Sequence, residues 1–243
     1  MSHFIFCQEN VNILDKKKKV KNVFEKLHIP VQFYTARQHP NGGRYGCFNS
    51  HIEVISKAFY DGINYLLVFE DDVVPSPAYS VARINKAIKF INNKLNNVDI
   101  FQFGYFPVVD ESGSLLRYVN APFVDDNRDI MKFTAAGFHA YCLTKAGIMK
   151  ILSSKWRNAI GNEHFDMFVV SLQLNGYCYV PTLFDQYSCL GSDNLSKTNK
   201  EALGRKFLCA ADSISLSHKA SLIKKYAFNI LIFFTMIFII GFV

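Results

Sequence analysis

Residues Tyr65–Pro77 read YLLVFEDDVVPSP. The first five have the length and apolar run of a buried strand, and they lead directly into three consecutive carboxylates, Glu70, Asp71 and Asp72. Asp is common where strands end, because its side chain bonds the local backbone. That accounts for one acid and not for three. Crowded carboxylates repel one another and each resists burial. A divalent cation relieves the repulsion, and hard ions such as Mg²⁺ or Mn²⁺ prefer oxygen ligands. The plain alternative is a short acidic cluster on a solvated turn.

Outward from this stretch, strand and helix patterns alternate. Upstream, either Phe4–Cys7 or Val11–Leu14 supplies a first strand, and Lys16–His28 has helical periodicity that stops before Pro30. Val31–Thr35 alternates as a short strand. His39–Gly46, HPNGGRYG, is rich enough in breakers for a loop. Asn49–Asp61 then reads as a helix with Ile52, Ile55 and Phe59 on one face. Downstream, Ser80–Leu95 is an amphipathic helix, Val98–Gly104 a strand and Asp110–Asp129 a loop or irregular hairpin. Phe138–Leu143 is a strand, and Thr144–Leu152 a helix capped by Thr144. Phe165–Leu174 is helical, Cys178–Pro181 a short strand, and Phe184–Lys197 polar and loop-like. Such alternation predicts an α/β fold with a mainly parallel central sheet and helices on both faces. Ligands of open sheets bind beyond the carboxyl ends of the strands, which is where the acidic triplet falls.

The 243 residues suit one α/β domain, or at most a domain with a small appendage. We expect residues 1–221 to form that domain and 222–243 a separate apolar segment. Half the composition is hydrophobic, ample for a core. Much of the formal charge of +7 comes from Lys16–Lys19 and Lys21. These sit at helical spacing before Val20, Val23, Phe24 and Leu27, as on a solvated helix face. No interleaving of aromatic and basic residues supports a nucleic-acid groove, so no nucleic-acid partner is expected. The six cysteines are dispersed without a CxxC pair, which argues against a zinc knuckle. Most lie in apolar surroundings and suit reduced, buried thiols, although Cys178 and Cys189 could pair.

Tyr226–Val243, YAFNILIFFTMIFIIGFV, carries no charge and follows Lys224-Lys225. As a helix it would be about 27 Å long, enough for a bilayer core. A helix buried in the domain is the competing reading, but only Asn229 and Thr235 would supply a polar stripe. The N-terminus has too short an apolar run for a signal peptide. The expectation is a single-pass C-terminal membrane anchor, with the main domain on the cytosolic side.

Several pieces occur in a familiar order. Gly46-Cys47-x-x-Ser50-His51, about twenty residues, and an apolar strand ending Glu70-Asp71-Asp72-Val73 resemble the glycosyltransferase 25 family, which includes bacterial lipooligosaccharide and procollagen galactosyltransferases. Val98-Asp99-Ile100 leading to Gly104, Gly137-x-His139-Ala140-Tyr141 with Thr144 and Gly147, and Asp166 resemble its later segments. Pro181, Gln186 and Ser192-Asp193 resemble its closing one. The similarity spans roughly residues 11–194. The chain departs from the family where Arg44 stands in place of an acid, where lysines replace an arginine pair, and where His164 replaces a proline.

The resemblance implies a GT-A-like fold, a nucleotide-sugar donor such as a UDP-hexose, and a divalent Mn²⁺ or Mg²⁺ held by the acidic triplet. A nucleoside diphosphate gains negative charge as it leaves, and such a cation stabilises it. Residues two apart on an extended strand end face the same side, so Glu70 and Asp72 are the candidate metal ligands. Asp71 would point away or touch the donor sugar, and Ser50, His51 and Gln186 are further candidate donor contacts. Asp166, at the start of a predicted helix, is the candidate base for the acceptor hydroxyl in an inverting transfer. The plain reading of Asp166 is a helix-initiating acid favoured by the dipole. His51 and His139 are each read first as hydrogen-bonded core residues. Arg44 and the lysine run could meet a diphosphate. The acceptor would be a glycan, glycolipid or protein hydroxyl. A degenerate, membrane-tethered binding protein and a metal-dependent nucleotidyltransferase are the alternatives, the latter lacking a phosphate-gripping motif here.

Overall fold

The computed structural model describes residues 2–8, 13–36, 39–94, 97–105 and 121–186. In chain order these form β1 (Ser2–Gln8), α1 (Ile13–Lys26), β2 (Gln32–Ala36), α2 (Gly43–Tyr60), β3 (Tyr65–Phe69), β4 (Val73–Pro75), α3 (Val81–Asn93) and β5 (Ile100–Gly104). There follow β6 (Ile130–Met131), β7 (Ala140–Thr144), α4 (Lys145–Ser153), α5 (Trp156–Ala159), α6 (Phe165–Ser171), β8 (Gly176–Tyr179) and β9 (Phe184–Gln186). Segment 222–243, the Ser192-Asp193 match, Cys189 and most of Asp110–Asp129 lie outside the described residues. No helix among the described residues is long and apolar enough to cross a membrane.

Seven strands make one sheet in the order β2-β1-β3-β7-β5-β8-β6, and β4 pairs with β9 in a small ribbon. The sheet is mixed, which corrects the expectation of a mainly parallel one. β1 pairs parallel with β2 and β3, and β5 with β8. β7, however, is inserted antiparallel between β3 and β5, and β6 runs antiparallel to β8. The pattern of apolar residues could not reveal this. A strand covered on both faces is a continuous apolar run whichever way it points.

Alternation along the strands builds two cores. Leu66 and Val68 of β3 join Tyr141 and Leu143 of β7 and Ile100 of β5 against α2, α4 and α6. Leu67 and Phe69 join Ala140, Cys142, Phe101 and Phe103 on the opposite face, against Val20 and Phe24 of α1 and Ala87 and Ile91 of α3. The result is a three-layer stack with helices on both faces.

Local signals account for most boundaries. Ser80 caps α3, its side chain accepting from Arg83 N, and Thr144 caps α4 by accepting from Gly147 N. Helix α2 starts at Gly43, six residues before the sequence-based start at Asn49, because Gly42 with φ 99° makes the turn that frees the next residues for the helix. The extra turns place Gly46 and Cys47 on the helix. Cys142 and Cys178 are buried free thiols, each pushed up to about 12 by burial, and are accordingly unreactive.

Much of the motif set serves the pole of the sheet away from the acidic turn. Thr144 Oγ1 donates to Val98 O at 2.6 Å, and buried Asp99 accepts from Lys150 Nζ at 2.6 Å and Asn175 N at 2.8 Å. A Cβ on Gly147 would stand 2.1 Å from Asp99 O, so only glycine lets α4 sit this close to β5.

Candidate active site

Strand β3, interior to the sheet, delivers the acidic triplet at its carboxyl end. Glu70 N donates to His139 O at 2.9 Å, extending the β3–β7 ladder by one bond, and Val73 N donates to Glu70 O at 3.3 Å to close a turn over Glu70–Val73. The chain then re-extends as β4, in which Val73 is opposite Gln186 of β9. That register brings Gln186 to the acids. Its Nε2 donates to Glu70 Oε2 at 2.7 Å and to Asp72 Oδ1 at 3.1 Å. The expectation that Glu70 and Asp72 share one side matches this geometry, although a turn rather than a continued strand achieves it. Asp72 is only 9% exposed. Two carboxylates facing one electropositive amide suit a hard divalent cation by charge and by their all-oxygen donor set. Asp71 is half-buried at the tip of the same turn.

Helix α2 closes the other side. His51 is buried, its ring stacked on Phe165 at 4.2 Å between centroids and its Nδ1 paired with the Tyr141 hydroxyl at 2.8 Å. Its Nε2 faces Glu70 Oε1 at 3.8 Å. Burial lowers the His51 pKa to about 3, against an opposing pull from Asp166, so the ring is neutral at pH 7. Cys47, one helical turn earlier and half-buried, completes a group with His51 and Glu70 whose ligand atoms lie within 4.8 Å of one another. The Tyr141 hydroxyl is held well above its usual pKa by burial and then by the Glu70 carboxylate and Cys47, and stays protonated.

Asp166 sits in the first turn of α6, where its Oδ2 accepts from Gly137 N at 3.0 Å and its Oδ1 from Met167 N at 2.8 Å. Those bonds fix the carboxylate, and its field reaches His51. Ser50 is placed differently from the other candidates. Its hydroxyl turns back along α2 and donates to Gly46 O at 2.7 Å. It does line a polar cavity of about 490 Å³ with Tyr34, Thr35, His39, Asn49 and Glu53. His39 and Tyr45 stack at its rim, 5.3 Å between centroids, and Arg44 is exposed nearby on α2. His139 is a core residue, its Nε2 bonded to Phe184 O at 3.1 Å and its pKa lowered to about 4 by burial. A Cβ on Gly104 would meet that ring at 2.5 Å, which explains the glycine at the end of β5.

Cys47, Tyr141 and the Gly137 amide were given no role from sequence. The i,i+4 spacing of Cys47 and His51 was a usable signal, because it puts both on one helix face.

The turn gathers two carboxylates, an amide and a buried imidazole at the end of β3, and comparison with known proteins names the class. The family model described as glycosyltransferase family 25 (LPS biosynthesis protein) matches residues 41–168, and the chain belongs to that family: it is a glycosyltransferase. Among solved structures, the chain is similar to a glycosyltransferase involved in glycosylation of the major capsid of PBCV-1, at 13% identity and TM-score 0.46, over 79% of this chain and 95% of that one. A UDP-glucose pyrophosphorylase complexed with UDP-glucose aligns at 12% identity and TM-score 0.43, over 77% and 75%. A Drosophila β1,4-galactosyltransferase 7 mutant in complex with manganese, UDP-Gal and xylobiose aligns at 8% identity and TM-score 0.38, over 84% and 80%. No curated protein matches the sequence significantly.

Proposed function

We propose that the enzyme is a GT-A-like transferase that moves a hexose, galactose or glucose, from a nucleoside diphosphate donor to a hydroxyl of a glycan, glycolipid or protein acceptor, with inversion at the anomeric carbon. The observation that carries this reading is the shared Gln186 amide between Glu70 and Asp72. It marks one point on which both carboxylates converge at the carboxyl end of β3. Glu70 and Asp72 would hold Mn²⁺ or Mg²⁺ there, a Lewis acid that offsets charge on the departing diphosphate. Gln186, freed from the acids, can turn its amide to the donor. Asp71, at the tip of the turn, would contact the donor sugar's hydroxyls. The polar cavity lined by Ser50 offers room for part of the nucleotide, and Arg44 a charge for its phosphates. Asp166 keeps lone pairs beyond its two backbone bonds and takes the acceptor proton as the new glycosidic bond forms. Segment 222–243 anchors the chain to a membrane, with residues 1–221 on the cytosolic side.

The full chain in detergent, incubated with Mn²⁺ and a panel of nucleotide sugars, should release nucleoside diphosphate from one UDP-hexose in preference to the rest. Equal indifference to every donor, with the fold intact by circular dichroism, would leave a binding protein.

A further inference from the structure

The two oxygens of Glu70 have different neighbours. Oε2 belongs to the Gln186–Asp72 side, whereas Oε1 faces His51 Nε2 at 3.8 Å, with Cys47 completing the group. The second side is chemically unlike the first. It offers one sulfur, one imidazole nitrogen and one carboxylate oxygen, a set that suits Zn²⁺ and its borderline relatives rather than Mg²⁺. Around a tetrahedral zinc, such ligand atoms stand about 3.3–3.6 Å apart. The observed group, all within 4.8 Å, needs only side-chain adjustment to reach that spacing. Cys47 and His51 are fixed one turn apart on α2, and the Tyr141 hydroxyl holds Nδ1 of His51. Metal-bound histidines donate from the second ring nitrogen, and with Nδ1–H of His51 donating to this hydroxyl oxygen Nε2 keeps its lone pair for the ion.

We propose that Cys47, His51 and Glu70 form a binding site for a thiolate-preferring divalent cation of the Zn²⁺ class, and that filling it antagonises the hard cation at Glu70 and Asp72. On binding, the Cys47 thiol loses its proton to solvent and the thiolate becomes a ligand. The antagonism follows from charge, since two divalent ions drawn to the two oxygens of one carboxylate repel each other and each dilutes its hold. The site itself stands on geometry alone. Only the antagonism rests on the reading of Glu70 and Asp72 as a cation pair.

The test uses the metal-stripped full chain and metals alone. Co²⁺ should give a thiolate-to-metal charge-transfer band that Zn²⁺ abolishes, that Cys47→Ser lacks and that Asp72→Asn keeps. On the wild-type protein, Zn²⁺ at about ten times its Kd should slow alkylation of Cys47, mapped by peptide mass, roughly tenfold, and Mg²⁺ should not. This arm does not depend on any variant folding. Free Mn²⁺ counted by its EPR signal should rise several-fold on adding Zn²⁺ to wild type and stay unchanged in Cys47→Ser. No band in wild type, a band that survives Cys47→Ser, or alkylation indifferent to Zn²⁺ overturns the site. A band in a protein that binds no Mn²⁺ upholds the site and removes the Glu70–Asp72 cation. Simultaneous tight binding of both ions overturns the antagonism.

Discussion

Asp72 and Asp166 lie in the same edge of the fold but face different tasks, and substitution separates them. Asp72→Asn keeps shape and removes charge, so transfer should become immeasurable while the fold survives, and excess EDTA should do the same to wild type. Transfer by Asp72→Asn at the wild-type rate in EDTA would eliminate the cation reading. Asp166→Asn should instead lower kcat by about 10²–10⁴, as expected for loss of a general base, with donor affinity nearly unchanged. Loss of donor affinity at constant kcat would move Asp166 into the donor site. The two buried histidines make a prediction about stability. Burial lowers the pKa of His51 to about 3 and that of His139 to about 4, against 6.5 for an unhindered imidazole. Both shifts are downward, so their contribution is complete above pH 6.5 and is lost as pH falls towards those values. The urea midpoint should therefore drop steadily between pH 6.5 and 4. A midpoint flat across that window would contradict the burial of both rings.

At the scale of elements, the sequence was most informative where local chemistry is self-sufficient. Strand β3, and the cap Thr144, were legible because each signal is contained in a few neighbouring residues. The ribbon of β4 and β9 was not. Each strand has three residues, too few for a period, and Asp185 and Gln186 suggest a loop. Asp185 is nonetheless buried and accepts from Thr182 Oγ1 at 3.0 Å. Gln186 could be named as a site residue through family resemblance, but its bonds to Glu70 and Asp72 depend on a pairing more than a hundred residues long in sequence. The approach of α4 to β5 supplies the prediction here. Gly147→Ala ought to help an ordinary helix by roughly 0.5–1 kcal/mol. Against Asp99 O it should instead cost about 1–3 kcal/mol, read as a lower urea midpoint. A gain in stability would mean that the helix can back away from the strand.

For the whole molecule, the direction of β7 was the main thing sequence withheld, since an inserted antiparallel strand and a parallel neighbour bury the same apolar residues. The proposed membrane segment is testable without reference to the site. Carbonate extraction should leave the full chain in the pellet and release residues 1–221. Equal release of both would mean that 222–243 packs against the domain. The Gln186 clamp has a further consequence, in time rather than in space. Glu70 and Gln186 are 116 residues apart, which a ribosome covers in roughly 6–23 s at 5–20 residues per second. The acidic turn thus leaves the exit tunnel long before the amide that joins its two carboxylates exists. A nascent chain arrested before β9 lacks the amide that bridges these two carboxylates, which arrives only when this late-made strand docks.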